Sequence, residues 1–364
     1  MSLIWKGDFA GLPGKVVLAN PMVCANTAKG DNKLYSDAKG VVPSLDLRFA
    51  SQKNLNDYMT GQNLITFSRP VGANQSPGTY VDENGIIQLS SADTPRFDHD
   101  PTTGESLGFL IEESRTNILL NSATLSAQSV TTSATAYTLS FYGTGTVTLS
   151  GTSTAGPLVG TGANDRATLT FTPTAGALTL TVAGTISNAQ LEEGSFPTSY
   201  IPTTGTALTR SADVASITGT NFSSWYRQDE GTVFSEANFT NTVSFNTVFN
   251  ITDGTPNERI RSIQWNDGTN RILNYTAGGV NQANFVGTGV IGVTKNAGAY
   301  KLNDFAACQD GGTVQTDISG SLSTTANQMN LGSTSNIFVL NGTISRLTYF
   351  PDRLEDSVLQ AITQ

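Results

Sequence analysis

The sequence predicts an all-β protein: two antiparallel β-sandwich (jelly-roll) domains preceded by an irregular N-terminal attachment region. Three observations carry this expectation. Charged residues make up 13% of the 364-residue chain, about half the roughly 25% usual in soluble domains, while it holds 36 glycines and 51 threonines. β-branched threonine suits the solvent side of a strand, and glycine the turns between short strands. Apolar residues also alternate with polar ones in short runs, as in Tyr137 to Phe141, Thr146 to Leu149, Ala167 to Phe171 and Ala177 to Val182. Finally, the segment from Ile186 to Ile217 carries Pro197 and Pro202, which hold an extended course, yet it also carries Tyr200 and Ile201. A flexible tether would lack such packing residues, so this stretch reads as a seam that fixes the angle between two β domains.

Taken in order, residues 1–45 show turn residues and short apolar pieces without a core, and read as an attachment arm. Residues 46–117 read as a region of short strands and turns. A helical turn is expected near Leu55 to Met59, a strand at Leu64 to Phe67, and hairpin-type turns at Asp82 to Gly85 and Asp100 to Gly104. Residues 118–204 read as the first sandwich, nearly free of charge, since 118–190 hold only Asp165 and Arg166. Residues 205–364 read as the second, with strand runs at Gly231 to Glu236, Thr247 to Ile251, Ile260 to Ile263 and Arg271 to Tyr275. Asp253-Gly254 and Asp267-Gly268 punctuate them. A short closing helix would bury Leu354, Val358 and Leu359.

Net charge is −9, and Lys/Arg nowhere cluster with aromatic residues, which argues against nucleic acid as a partner. Cys24 and Cys308, far apart in sequence, form neither a disulfide framework nor a metal-ligand spacing and read as buried free thiols. No run approaches the roughly 18 apolar residues of a membrane span, and no secretory signal is read at the N-terminus. These features fit a protein made in the cytoplasm and not inserted into a membrane.

Three separated blocks carry a family resemblance: Thr79 to Gly85, Pro95 to Asp98, and Gly108 to Asn117. In order, they resemble a module of tailed-bacteriophage virion proteins of the fibre or spike type. Residues 118–204, closing on AQLEEGSFPTSYIPTTG, resemble carbohydrate-binding-module jelly rolls. The C-terminal region, with Tyr300 to Phe305, the Asp310-Gly311-Gly312 turn and Gly342 to Phe350, resembles the concanavalin A-like lectin fold of laminin-G and pentraxin type. Together the resemblances imply a structural virion protein, a head or tail fibre or decoration subunit, that assembles in the host cytoplasm. Its arm would bind other virion proteins and its lectin-like domain would face a host-surface glycan. Homo-oligomerisation, as a trimer, would rest on β surfaces because heptads are absent.

The residues themselves offer little catalytic chemistry. His99 is the only histidine and lies in the turn-rich Asp98-His99-Asp100-Pro101 stretch, without a nucleophile motif such as G-x-S-x-G, so it reads as solvated or capping. Glu112-Glu113 and Glu192-Glu193 are adjacent and would point to opposite faces of a strand, unlike a glycosidase pair. The expectation is a non-enzymatic protein, with a polysaccharide-cleaving enzyme and a dedicated glycan-binding adhesin as alternatives. The sugar-site candidates are Trp265, whose indole would stack on a pyranose, Asp267 and Asn270 as hydroxyl partners, and nearby Tyr275. No cofactor is expected. Calcium, held by some lectin-like relatives, would call on Asp304 and Asp310.

Overall fold

The alternating runs become strands because a period of two lets each bury one face, and the computed structural model, which describes residues 33–364, stacks them into two sandwiches. Most of the attachment arm and Cys24 lie outside the described residues. Four short helices accompany the strands among the described residues, so the all-β class holds.

The larger sandwich pairs two sheets. One has seven strands in the spatial order Thr66–Ser68, Val214–Thr218, Gln328–Leu331, Asn246–Thr252, Arg259–Gln264, Thr269–Ala277 and Val280–Thr288. The other runs Gln315–Asp317, Asp304–Gln309, Gly292–Lys301, Glu230–Phe239, Gly342–Phe350, Ser106–Ile111 and Arg96–His99, with Leu45–Leu47 also pairing Gly342–Phe350. One apolar core fills the space between them, drawing on Leu47, Phe109, Ile251, Leu273, Met329 and Leu347.

Residues 46–117, expected as a region of their own, place strands in both of these sheets. Thr66–Ser68 pairs with Val214–Thr218, and Ser106–Ile111 with Gly342–Phe350. Strands this short cannot bury Phe109 and Ile111 by themselves, so they complete a neighbour's core instead. Gly108 permits the approach. Its φ is +100°, and a Cβ there would lie 2.2 Å from the Ile344 carbonyl oxygen. The helical turn forms at Phe49–Gln52 rather than at Leu55 to Met59, burying Phe49 in the core.

The smaller sandwich is an insertion into the larger. Arg115–Asn117 pairs antiparallel with Leu208–Arg210, Asn117 opposite Leu208, so the chain leaves and re-enters at one ladder. Between them, Gly162–Phe171, Tyr137–Gly143 and Ile186–Glu193 form one sheet. Leu158–Val159, Thr146–Gly151, Gly176–Ala183 and Gln128–Thr132 form the other. They enclose a separate core that includes Leu139, Phe141, Leu149, Leu180 and Leu191.

Tyr200 and Ile201 are buried where the two sandwiches meet. Asn117 Nδ2 donates to the carbonyls of Ala189 and Ile201, at 3.0 and 2.9 Å, while its Oδ1 accepts from the Leu119 and Leu191 amides. Thr79 Oγ1 donates to the Tyr200 carbonyl, and the Tyr200 hydroxyl bonds Ser122 at 2.8 Å. Beside them lies a buried ion cluster. Arg69 and Arg96 contact Asp213 at 2.8 and 2.6 Å, Arg96 also contacts Glu112 at 2.8 Å, and Arg210 lies 3.5 Å from Glu112.

The closing helix, Asp356–Ile362, buries Val358, Leu359 and also Ile362. With Leu354 they pack on Leu34, Phe234, Cys308 and Phe350, which covers part of the outer side of the eight-stranded sheet. Cys308 is a buried free thiol.

Candidate functional site

The structure does not bring Trp265, Asp267, Asn270 and Tyr275 to one place. Tyr275 is a core residue, its hydroxyl accepting from the Ser323 amide at 2.9 Å and its ring against Tyr300 and Phe305. Asn270 is also buried between the sheets, donating to Asn296 on the facing sheet at 3.1 Å. The reason is alternation: Leu273, Tyr275 and Ala277 share the inward face of their strand, so Tyr275 cannot join an exposed turn. Asp267 is exposed and caps its own turn by accepting from the Thr269 amide. Trp265 remains at the surface margin, edge-on to Phe245 at 5.6 Å and covered by the Arg271 guanidinium at 4.4 Å.

A better candidate lies on the outer face of the seven-stranded sheet. Residues opposite one another in paired strands share a face. The register aligns Thr66, Ser216, Asn330, Asn250, Arg261, Asn274 and Asn284, one from each strand. Their sequence neighbours, among them Ala215, Ile217, Met329, Leu331, Ile251, Ile260, Leu273 and Phe285, lie in the core, so this row points outward. Six gaps of about 4.8 Å make it roughly 29 Å wide. A second outward row follows: Thr218, Gln328, Thr252, Arg259, Thr276 and Asn281. Toward the other end, Ile263, Arg271 and Val286 form a further row on the same face, which puts the Trp265–Arg271 stack at its margin.

A solvated sheet face is ordinarily polar, so polarity alone means little. Two features go further. Asn250, at the centre of the row, is 0% exposed, yet neither its Oδ1 nor its Nδ2 finds a partner among the described residues; the Nδ2 of Asn330 beside it, 8% exposed, also has none there. An unmatched buried amide group costs about 1–3 kcal/mol. Arg261 and Arg259 are the other feature. Arg261 Nε donates to Asn274 Oδ1 at 3.0 Å, but neither guanidinium has a carboxylate within ion-pair distance among the described residues. Burial and the adjacent Arg259 charge push the Arg261 guanidinium down to about 10, and burial lowers Arg259. Each of these residues alternates with apolar neighbours as any strand residue does, so no local signal marked them. Only the register lines them up.

Two adjoining cavities lie elsewhere, at the junction of the sandwiches. One of about 480 Å³ is walled mainly by Val81, Ile86, Leu89, Pro101, Tyr142 and Tyr200. An adjoining one of about 270 Å³ reaches Asp98, His99 and Glu112. Here the carboxyls diverge. Burial pushes Asp98 up to about 6, whereas Glu112 is held down at about 2 because Arg210, Arg96 and the Ser199 hydrogen bonds outweigh its burial. Such a split suits acid–base pairs. Glu112, however, already accepts from the Ser199 amide and hydroxyl at 2.6 Å each and faces Arg96, which leaves little capacity for a substrate or a water. His99 lies in strand Arg96–His99 and is buried rather than solvated, its Nδ1 2.9 Å from the Val81 carbonyl oxygen. Glu112 and Glu192 are buried while Glu113 and Glu193 turn outward, so the adjacent pairs do point apart.

Asp304 opens strand Asp304–Gln309 and Asp310 follows its far end, so the two lie at opposite ends of one strand. Asp304 pairs with Arg353 at 2.9 Å, and Asp310 accepts from the Lys295 amide and the Thr294 hydroxyl. Among the described residues, no group of three or more His, Cys, Asp or Glu side chains could hold a metal ion. No helix of the described residues is long and apolar enough to cross a membrane.

No protein-family model and no curated protein matches the chain. Parts of several solved structures are similar to parts of it. The CBM40 of the Ruminococcus gnavus IT-sialidase, bound to α2,3-sialyllactose, shares 16% identity over 38% of this chain and 84% of its own, with a TM-score of 0.32. The NanB sialidase of Streptococcus pneumoniae shares 12% over 40% of this chain but 26% of its own, at 0.34. The binding domain of botulinum neurotoxin DC, in complex with rat synaptotagmin II, shares 8% over 42% and 40%, at 0.30.

Proposed function

We propose that this chain is a non-enzymatic display protein that recognises saccharide through the outer face of its seven-stranded sheet. The unpartnered, fully buried amide of Asn250, set in a row of polar side chains that crosses the whole sheet, carries the reading. Sugar hydroxyls both donate and accept, as the Asn250 amide does, and Trp265 at the margin offers an aromatic edge. The sequence blocks from Thr79 to Asn117 support a place in a bacteriophage virion, as a head or tail fibre or decoration subunit facing the host surface. The arm would hold neighbouring virion proteins, and a homo-oligomer would suit such display. The buried ion cluster suits a rigid spacer role for the inserted jelly roll.

A glycan array with the full chain tests this. The parent should bind at least one saccharide class, and Asn250→Ala and Asn330→Ala should weaken it about tenfold, the worth of roughly one lost hydrogen bond, with the melting temperature preserved. Binding that both variants retain in full, or none to any saccharide, would overturn the assignment.

A further inference from the structure

We infer that this face selects saccharides bearing a carboxylate, with Arg261 holding the anion and Arg259 reinforcing its charge; this rests on the saccharide reading above. The chain uses its arginines consistently elsewhere. Of twelve in the sequence, nine (Arg48, Arg69, Arg96, Arg115, Arg210, Arg227, Arg271, Arg346 and Arg353) lie within 4.0 Å of an Asp or Glu. Arg166 is spent on the Thr198 carbonyl and the Ser140 hydroxyl. That leaves Arg259 and Arg261, two residues apart on one strand face in a protein of net charge −9.

Placing two guanidiniums side by side, half-buried and without an acid, opposes folding, because each raises the cost of the other's charge. An arriving carboxylate reverses that term. The planar guanidinium fork matches a carboxylate in a bidentate way, and Arg261 has its Nε already oriented by Asn274. Asn250 and Asn274 flank the same guanidinium in the row, with Asn330 one strand beyond Asn250, so amides lie beside the anion site for the hydroxyls of the ring that carries the acid. The charge pattern also sets the size of the ligand's anionic part. Two arginines in an otherwise acidic protein suit one acidic group per binding event, not the repeated phosphates of a nucleic acid, which demand a continuous basic surface.

The test uses matched saccharide pairs on one array: uronic- and sialic-acid glycans, each beside its methyl ester or carboxyl-reduced counterpart, with sulfated glycans as a third arm. The full chain should prefer the free acid at least tenfold, and the preference should shrink as salt rises. Arg261→Gln should abolish the preference, Arg259→Gln should reduce it several-fold, and Arg261→Lys should restore part of it, since the charge returns without the fork. Melting temperatures of all three variants serve as the folding control. Equal binding to acid and neutral partners, or a preference that survives Arg261→Gln, would overturn this inference while leaving saccharide recognition intact. Stronger binding of sulfated than of carboxylated glycans would overturn the carboxylate assignment. Absence of binding to every saccharide would overturn both readings.

Discussion

At the junction of the two sandwiches, Arg69, Arg96 and Arg210 are fully buried against Asp213 and Glu112, whereas Arg259 and Arg261 on the seven-stranded sheet are partly exposed among amides and hydroxyls. The same side chain serves two ends. In the junction, desolvated charges persist only because oppositely charged partners surround them, and the geometry they demand fixes how the insertion meets its host. On the sheet, water still reaches the guanidiniums, so the protein tolerates them without an acid and keeps their binding capacity open. Burial with partners makes a joint, while partial burial without partners suits the recognition surface we propose.

The sharpest way to break this comparison is to remove one acid from the joint. Asp213→Ala leaves Arg69 and Arg96 without their shared partner and should cost about 3–5 kcal/mol in urea denaturation. Arg261→Gln should cost less than about 1 kcal/mol in the same assay. Similar losses for the two variants would erase the distinction.

A second test is the pH dependence of the joint. Asp98 has its folded value raised to about 6, against about 3.9 for a free carboxyl. The folded state therefore holds this proton more tightly. Its contribution is complete below about pH 4 and is lost as pH rises toward 6, by about 2 kcal/mol once partial exposure is allowed for. Glu112 runs the other way: lowered to about 2, it stabilises above pH 4.5, and that contribution is lost as pH falls toward 2. Asp98→Asn preserves an acceptor for the Val81 amide and should flatten the decline between pH 4 and 6 while leaving the acid limb. An unchanged profile would show that Asp98 does not carry it.

The smallest effect concerns the seam. Ser122→Ala removes the partner of the Tyr200 hydroxyl and should cost about 1 kcal/mol, yet the two sandwiches should still share one rotational correlation time by NMR relaxation. Separate correlation times would mean that the remaining bonds of Asn117 and Thr79 do not hold the angle.

Much of this architecture was legible along the chain. Alternation marked the strands, Asp-Gly pairs marked turns at Gly254 and Gly268, both at positive φ, and Tyr200 with Ile201 marked a packed seam. Tyr275 reads along the chain as a sugar-site candidate, although Leu273 and Ala277 flank it at the strand period and all three face the core. The proposed binding face was not legible. Thr66, Ser216, Asn250, Arg261, Asn274, Asn284 and Asn330 are unremarkable polar residues in separate strands, and their alignment depends on ladders such as Thr66 with Ser216 and Asn250 with Asn330, which join segments far apart along the chain.

The sequence by itself determined which residues of each strand face inward, since a period of two is a property of the local backbone. It likewise determined the all-β class, because threonine, glycine and alternation act within a few residues. Tertiary structure alone decided that residues 46–117 complete the larger sandwich, that nine arginines find acids and that Arg259 and Arg261 do not. The physical reason is range. Strand faces follow from neighbours along the chain, but register, burial and charge pairing are set by segments that meet only when the whole core closes.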